Sequence, residues 1–220
     1  TKYIIQNAKC GVKLNNSPLY LGIEKDNFIP EKKQTLKNIV FIGSLIRRKN
    51  IEEFFRISKI FPNLNFHIIG NKKYLQISKK RKVNLKDQWE NKSDNNKALE
   101  FSENIILHGK INREDLPGKL KEIDLLFLPS RSEGFPKVIL EAAASGIPSI
   151  VYHDYGASEW MTTNKNGFVV NSFNDVKDKI NQIINNPDLL QKNSEGALNL
   201  SEKFDWKNLI KNWEEVIDNL

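Results

Sequence analysis

Six short apolar runs, separated by amphipathic stretches, constrain the fold of this chain more than any other feature. Runs that are apolar throughout are typical of strands buried on both faces of a parallel sheet. The stretches between them repeat apolar positions every three or four residues, which indicates helices. The alternation predicts an α/β fold: a Rossmann-like, doubly wound sheet of about six parallel strands with helices on both faces. The runs are residues 39–42, 66–69, 105–107, 125–128, 149–151 and 168–170.

The loop after the first run is a candidate anion site, because open parallel sheets bind ligands beyond the carboxyl ends of their strands. Gly43 begins this loop, and the consecutive cations Arg47, Arg48 and Lys49 end it. A glycine lets the backbone approach a ligand closely, and cations beside a helix start suit a diphosphate. Taken alone, the loop is equally well interpreted as a solvated basic turn.

The segment after the fourth run, residues 129–136, leads into a helix that we expect to end at Gly146. Backbone N–H groups at the start of this helix would point into the crevice, with the positive end of the helix dipole behind them. Glu133 lies just before the helix and Glu141 within it. The alternative for Glu141 is a structural ion pair with Lys137, four residues earlier on the same face.

The loop after the third run contributes a weaker signal. Gly109 and Ile111 lie in it, and a glycine there would leave backbone exposed against which a flat nucleotide base could lie. Alone, this feature does not identify a site.

Composition narrows the class of protein without choosing a ligand. The chain has 220 residues, of which 34 are Lys or Arg and 27 are Asp or Glu, giving a net charge of +7 that favours polyanionic partners. Cys10 is the single cysteine, so no internal disulfide forms, as in a reducing compartment. No run reaches the roughly 18 apolar residues of a membrane-spanning helix. The start has neither an initiator Met nor a signal-peptide core, so we expect an excised piece of a longer protein.

The remaining segments suggest the domain boundaries. Residues 1–35 form a first segment that ends in a charged linker at residues 30–34, and a domain follows at 36–203. An apolar stripe that includes Trp206 and Trp213 indicates a final helix within 204–220. We expect this stripe to be partly uncovered. Residues 71–104, which include the basic cluster at 79–82, are expected to form a solvated helix followed by a mobile loop.

Taken together, these loops resemble the donor-binding domain of GT-B glycosyltransferases, specifically the large retaining group numbered family 4. The specific signature is a pair of glutamates separated by seven residues, here Glu133 and Glu141, embedded in Pro129-Ser130-x-x-Glu133-Gly134-Phe135-Pro136 and followed by Glu141-Ala142-x-Ala144-Ser145-Gly146-x-Pro148. Gly156-x-x-Glu159, Asn166-Gly167-Phe168-Val169-Val170 and Phe41-x-Gly43 with Lys49 also match. The resemblance covers about residues 19–220.

The resemblance implies a role for each matching residue. Glu133 would lie against the transferred sugar, and Glu141 would grip the ribose. Lys49 would neutralise the diphosphate, whereas Ser44 replaces the arginine usual in the family, so that Arg47 or Arg48 would supply the second charge. Glu133 and Lys49 are therefore the predicted catalytic residues. The predicted donor-binding residues are Gly43, Ser44, Arg47, Arg48, Gly109, Ile111, Arg131, Gly134, Phe135, Pro136, Lys137, Val138 and Glu141.

The implied activity is retaining transfer of a hexose-type sugar from a nucleoside diphosphate to a glycan or lipid-linked acceptor. We expect no metal or cofactor, because no acidic pair resembles the Asp-x-Asp metal motif of the other major glycosyltransferase fold. The acceptor would be bound by an N-terminal domain of which residues 1–35 are the tail, so the fragment alone would bind donor without transferring sugar. We expect a cytoplasmic location, with peripheral association at the inner face of a membrane.

Two other classes compete with this interpretation. One is a different enzyme on the same fold, a sugar-nucleotide epimerase or a phosphorylase, although the latter would need a cofactor lysine or phosphate site that the sequence does not reveal. The other is a non-catalytic anion or nucleic-acid binder using the basic cluster at residues 79–82. That cluster lacks interleaved aromatic residues, so we expect no nucleic-acid partner.

Overall fold

A computed structural model describes residues 19–71, 102–153 and 156–218, together with the backbone of 75–77, 82–85 and 99–100. The side chain of Arg47 is outside this description. The predicted first segment, residues 1–35, is therefore described only from residue 19 onward.

The described residues form a parallel sheet of six strands in the order β6-β2-β1-β7-β8-β9. All five neighbouring pairs are parallel, and β1 and β2 align residue for residue from Asn38↔Asn65 to Ile42↔Ile69. The six strands predicted from the apolar runs are confirmed. They are β1 (Asn38–Ile42), β2 (Asn65–Ile69), β6 (Ile105–Gly109), β7 (Leu125–Leu128), β8 (Ser149–Tyr152) and β9 (Phe168–Val170).

Helices connect and follow these strands, and right-handed crossovers in both directions place them on both faces of the sheet. The helices in the described residues are α1 (Ile51–Ile60), α2 (Leu116–Leu120), α3 (Lys137–Ala144), α4 (Phe173–Asn185), α5 (Pro187–Lys203) and α6 (Trp206–Asp218). Short 3-10 helices cover Lys25–Asn27, Arg47–Lys49 and Ala157–Glu159. The predicted end of α3 is confirmed, because Gly146 follows it with φ +74.

Aromatic side chains hold α1 against the sheet. Phe54 of α1 is fully buried, and its ring lies 5.3 Å from that of Phe66 on β2 and 5.9 Å from that of Phe41 on β1. Such edge-to-face pairs add to the free energy gained by burial. Replacing Phe54 with alanine would cost about 3 to 5 kcal/mol. Because α1 begins directly after the Gly43 loop, this packing fixes where that loop lies.

Residues 71–104 differ from the expected helix and loop. The described parts form a small antiparallel sheet of three strands, β3 (Leu75–Ile77), β4 (Lys82–Leu85) and β5 (Leu99–Glu100). The helix prediction was therefore wrong, since backbone pairing between short strands prevailed over the helical propensity of the lysines. Residues 79–81 of the basic cluster lie outside the described residues.

The segment expected to be a charged linker packs on the domain. Lys33 is 4% exposed; its backbone N–H donates to Ser194 Oγ at 2.8 Å, and its ammonium donates to the Lys121 carbonyl at 2.9 Å. Farther back, Ile23 pairs with Asp205 in an isolated parallel bridge. The start of the described chain is thus held against both α5 and the beginning of α6. The domain limits at 35 and 203 stay a prediction.

Helix α6 carries the apolar stripe predicted from the sequence, and the stripe is partly uncovered, as expected. None of the residues of α6 is buried, and Ile210 and Ile217 are 45% and 61% exposed. Trp213 is half-buried and donates from Nε1 to the Tyr20 carbonyl at 3.0 Å. That contact ties the helix to the first described residues.

Candidate active site

The topology locates the switch point of the sheet between β1 and β7. From β1 the chain builds outward to β2 and β6, and it then returns to add β7 on the other side of β1. Loops that leave neighbouring strands in opposite directions open a crevice at their carboxyl ends, where doubly wound proteins bind ligands. The two loops at this crevice are residues 43–50 and 129–136, the loops selected from the sequence.

The first loop starts with a close backbone contact. Gly43 has φ +156 and its N–H donates to the Ile69 carbonyl at 2.9 Å. A Cβ added to Gly70, at the end of β2, would lie 2.1 Å from the Gly43 carbonyl oxygen, so glycine is required there. Leu45 is fully buried and anchors the loop, whereas Ser44 is exposed. The chain then turns through the 3-10 helix Arg47–Lys49 into α1.

The two loops meet through an ion-pair cluster. The Lys49 ammonium donates to Glu133 Oε1, and the Arg48 guanidinium Nη1 lies 3.4 Å from Glu133 Oε2. Arg48 also donates to the Ser132 carbonyl, and its own carbonyl accepts from the Arg131 N–H at 3.0 Å. The Lys49 and Glu133 side chains are only 14% and 7% exposed, so their attraction is less screened than at the surface. The side chain of Arg131, in contrast, is exposed.

The segment after Glu133 leads into α3 as expected. Gly134 is exposed, and a Cβ added there would meet nothing within 4 Å. Packing therefore does not explain the glycine, whereas the approach of a ligand to the backbone would. Pro136 caps α3, whose first N–H groups, at Lys137 and Val138, lack carbonyl partners within the helix. Phe135 points into a cluster of aromatic rings, so its side chain anchors the loop.

Glu141 is half-buried on α3, and burial raises the pKa of its carboxyl, an effect that the charges of Arg113 and Lys137 partly offset. Within the described part of the chain, this carboxylate has no hydrogen-bond or ion-pair partner. The alternative of a structural ion pair with Lys137 is therefore not supported by the geometry. A half-buried carboxylate without a partner is costly and is typical of a group that binds something else.

The loop after β6 brings a positive charge near this carboxylate. Gly109 has φ +78, its carbonyl accepts from the Gly70 N–H at 2.8 Å, and Ile111 is half-buried. Arg113, two residues farther on, acts electrostatically on Glu141. We did not select Arg113 from the sequence. Its position just beyond the end of the same strand was the signal that could have identified it.

Neither a metal-ligand cluster nor a membrane-spanning helix is present among the described residues. No group of three or more His, Cys, Asp and Glu side chains there is arranged to hold a metal ion. None of the described helices combines the length and the apolar character needed to span a bilayer.

The fold and the paired loops define the class: a Rossmann-like α/β domain of the GT-B type with a charged site at its switch point. The chain belongs to the family Glycosyl transferases group 1, whose sequence model matches residues 22–199. It is 25% identical over 222 residues to an uncharacterised glycosyltransferase of Methanocaldococcus jannaschii, covering all of this chain and 58% of that protein. It is 27% identical over 188 residues to a poly(glycerol-phosphate) alpha-glucosyltransferase of Bacillus subtilis, covering 82% of this chain and 26% of that one.

The solved structures extend the fold comparison. The Anabaena protein HepE in complex with UDP-glucose superposes with a TM-score of 0.72 at 16% identity, covering 92% of this chain and 57% of that one. The likeness therefore shows a shared GT-B fold. The chain spans 58% or less of the length of each of these three proteins.

Proposed function

We propose that this chain is the donor-binding part of a retaining glycosyltransferase that takes a hexose-type sugar from a nucleoside diphosphate. The observation that carries the proposal is the Lys49–Glu133 contact, which joins the two loops at the switch point. A buried cation and carboxylate at that edge are suited to a ligand that is anionic at one end and hydroxylated at the other.

The diphosphate end would be held by the cations. Lys49 and Arg48 both contact Glu133, which lies just before the start of α3, so charges and helix dipole would act on one phosphate group. Negative charge builds on the diphosphate oxygen as its bond to the anomeric carbon breaks. Stabilising that charge is the largest contribution expected from these residues. Arg48, rather than a residue at position 44, would supply the second charge, since Ser44 is exposed and uncharged.

The sugar and ribose ends would be held by the two carboxylates. Glu133 would accept hydrogen bonds from sugar hydroxyls and stabilise positive charge at the anomeric carbon, and Glu141 would accept from the ribose hydroxyls. The acceptor oxygen would form its bond to the anomeric carbon on the face that the diphosphate leaves, and a diphosphate oxygen would take the acceptor proton. Neither glutamate forms a covalent intermediate in this scheme, and no metal is involved.

The comparisons suggest which donor to test first. The HepE structure contains UDP-glucose, and the Bacillus subtilis relative is named for transfer of glucose to poly(glycerol-phosphate). A UDP-hexose is therefore the first donor to test, and a glycan or lipid-linked chain the first class of acceptor. We propose that the acceptor is held by a further domain, with residues 1–35 as its tail, 36–203 as the donor domain and 204–220 as a crossover helix. Peripheral membrane association stays a prediction based on the net charge of +7.

A ligand-binding screen tests the proposal. UDP-, GDP- and ADP-glucose would be titrated into the 220-residue chain, alongside a single-stranded oligonucleotide of equal charge. We expect one nucleotide sugar to bind at micromolar concentration and the oligonucleotide to bind weakly, with affinity lost in salt. Preferential oligonucleotide binding would contradict the proposal. Retention is tested separately, by NMR of the anomeric linkage formed by the full-length protein.

A further inference from the structure

A cavity lies outside the proposed donor site. It has a volume of about 410 Å³ and lies between Tyr20, the loop that follows β8 and the junction of α5 with α6. None of the proposed donor-binding residues lines it. We propose that this cavity, the aromatic pocket, binds a saccharide that carries an acidic group, either phosphate or carboxylate. The residues that line it are Tyr20, Glu159, Trp160, Thr162, Lys165, Asn166, Leu200, Lys203, Phe204 and Leu209.

Aromatic rings form the apolar part of the pocket. The Tyr20 and Phe204 centroids are 5.6 Å apart, and those of Trp160 and Phe204 are 6.4 Å apart. The rings of each pair meet edge to face, at 82° and 73° between their planes, and together they line one wall of the cavity. Flat aromatic faces of this kind pack against the C–H faces of pyranose rings. A volume of about 410 Å³ is enough for a sugar of one or two rings.

Polar groups hold this wall in place. The Tyr20 hydroxyl donates to Glu159 Oε2 at 2.9 Å; burial first, and then this hydrogen bond, raises the pKa of Tyr20 to about 12. Asn166 accepts from the Thr162 N–H at 2.7 Å and donates to the Trp160 carbonyl at 3.3 Å. The indole N–H of Trp160 is buried without a hydrogen-bond partner in the described part of the chain. Such a group is uncommon in folded proteins.

The rim of the pocket is positively charged. Lys165 and Lys203 are exposed, and neither forms an ion pair with any described residue. Among the lining residues, the acidic side chain is Glu159, whose carboxylate accepts a hydrogen bond from Tyr20. With two lysines and one glutamate, the lining has a net positive charge. Cations without partners beside an apolar wall favour a ligand with an apolar face and an acidic substituent.

The pocket adjoins the loop that carries Glu133. The ring of Phe135, two residues after that glutamate, lies 5.6 Å from each of the Tyr20, Trp160 and Phe204 rings. One aromatic side chain therefore separates the pocket from the candidate active site. The binding of a saccharide here goes beyond the proposed function and does not depend on it, because no donor-site residue takes part.

Four probes test the proposal by NMR titration of the ¹⁵N-labelled chain: glucose, glucuronic acid, glucose 6-phosphate and inorganic phosphate. The three sugars share one ring and differ at C6, so they separate recognition of the ring from recognition of the acid. We expect glucuronic acid and glucose 6-phosphate to bind more tightly than glucose and than inorganic phosphate, and to shift the amide signals of Thr162, Lys165 and Asn166. Comparing the two acidic sugars shows whether carboxylate or phosphate is preferred.

Matched variants assign the binding to a site. Lys165→Ala and Lys203→Ala should each weaken binding of glucose 6-phosphate by about two- to fivefold, the effect of one exposed ion pair, without changing glucose binding. Lys49→Ala should leave the ligand-induced shifts of Thr162, Lys165 and Asn166 unchanged, because Lys49 does not line the aromatic pocket. Loss of binding in Lys49→Ala with no change in the other two variants would place the sugar at the donor site and overturn the proposal. The absence of any millimolar binding by the acidic sugars would also overturn it.

Discussion

Lys49 and Glu133 are 84 residues apart in the sequence, yet the ammonium of one donates to the carboxylate of the other. The contact forms because β1 and β7 are neighbours, so the loops that follow them meet at one edge of the sheet. Both side chains are largely withdrawn from water. Their attraction should therefore exceed that of the ion pairs on the surface of the molecule.

A double-mutant cycle measures this attraction. Lys49→Met, Glu133→Gln and the double variant should give a coupling free energy of about 1 to 3 kcal/mol in unfolding experiments. The control is the exposed ion pair between Lys119, on α2, and Glu122, just after it, whose charged atoms are 2.8 Å apart. For this pair we expect a coupling free energy of less than about 0.5 kcal/mol. Equal couplings in the two cycles would show that burial does not strengthen the Lys49–Glu133 contact.

Arg48 should be the second phosphate ligand. The sequence left Arg47 and Arg48 as alternatives, and the structure places the Arg48 guanidinium 3.4 Å from Glu133. Arg48→Ala should weaken nucleoside diphosphate binding by about 1 to 2 kcal/mol, because the group is half exposed, while nucleoside binding stays unchanged. Arg56→Ala, which removes a cation of α1 that lies above the Phe173 ring of α4, is the control. A silent Arg48→Ala variant would leave the second charge unassigned.

Glu141 should contribute to ribose binding. Glu141→Ala should weaken nucleoside diphosphate binding by about 1 to 3 kcal/mol if its hydrogen bonds to the ribose are charge-assisted. A deoxyribose analogue should show a smaller loss, because it offers fewer hydroxyls to this carboxylate. Glu214→Ala, an exposed change on α6, should have no effect. An unchanged dissociation constant for Glu141→Ala would contradict the assignment.

The same carboxylate should reduce the stability of the protein. Burial raises the pKa of Glu141 in the folded state above its unfolded value of 4.5, so the folded chain binds the proton more tightly. The free energy of unfolding should therefore fall as pH rises through 4.5 toward the folded pKa, and the penalty should persist above it. Glu141→Gln should be more stable than the wild type at pH about 7 and equal to it in acid. Chemical unfolding at several pH values measures this difference, and a constant difference would contradict it.

His67 should make the fold sensitive to acid. Its Nδ1 lies 2.9 Å from His108 Nε2, so the two rings share a hydrogen bond; burial first, then the charges of His108 and Lys119, lowers the pKa of His67 to about 4. The folded state then favours neutral His67, so stability is complete above the unfolded pKa of 6.5 and is lost as pH falls toward 4. The loss should reach about 2 to 3 kcal/mol in the wild type and be smaller in His67→Gln. An NMR titration that gave His67 a pKa near 6.5 would contradict this account.

The periodicity of the sequence predicted most of the fold. Strand β7 is buried on both faces, which is why its residues are apolar throughout and easily recognised. The amphipathic stripe of α6 was recognised for the same reason. The three strands β3 to β5 were missed because they are two to four residues long and adjoin lysine-rich sequence. Short strands are stabilised by pairing with one another, which a local pattern does not reveal.

The sequence predicted where the candidate site lies, but not which of its side chains contact one another. The rule that ligands bind beyond parallel strands selected the loops of Lys49 and Glu133. The contact between them depends on the strand order, which the apolar runs do not encode. Arg113 was missed because it lies in the loop after β6, whereas Glu141 lies on α3. The two residues are distant in the sequence, so no local pattern shows that the charge of one acts on the other. The four-residue spacing of Lys137 and Glu141 suggested an ion pair, yet among the described residues the Glu141 carboxylate forms no ion pair.

Calorimetric titration of the wild type and Lys49→Ala with UDP and with uridine tests the central claim most directly. The account predicts that the wild type binds UDP more tightly than uridine, and that Lys49→Ala loses about 1 to 3 kcal/mol of UDP affinity while uridine affinity is unchanged. GDP with guanosine and ADP with adenosine serve as parallel pairs if uridine is not the preferred base. Equal losses for nucleotide and nucleoside, or no nucleotide binding by the wild type in any pair, would contradict a diphosphate site at Lys49.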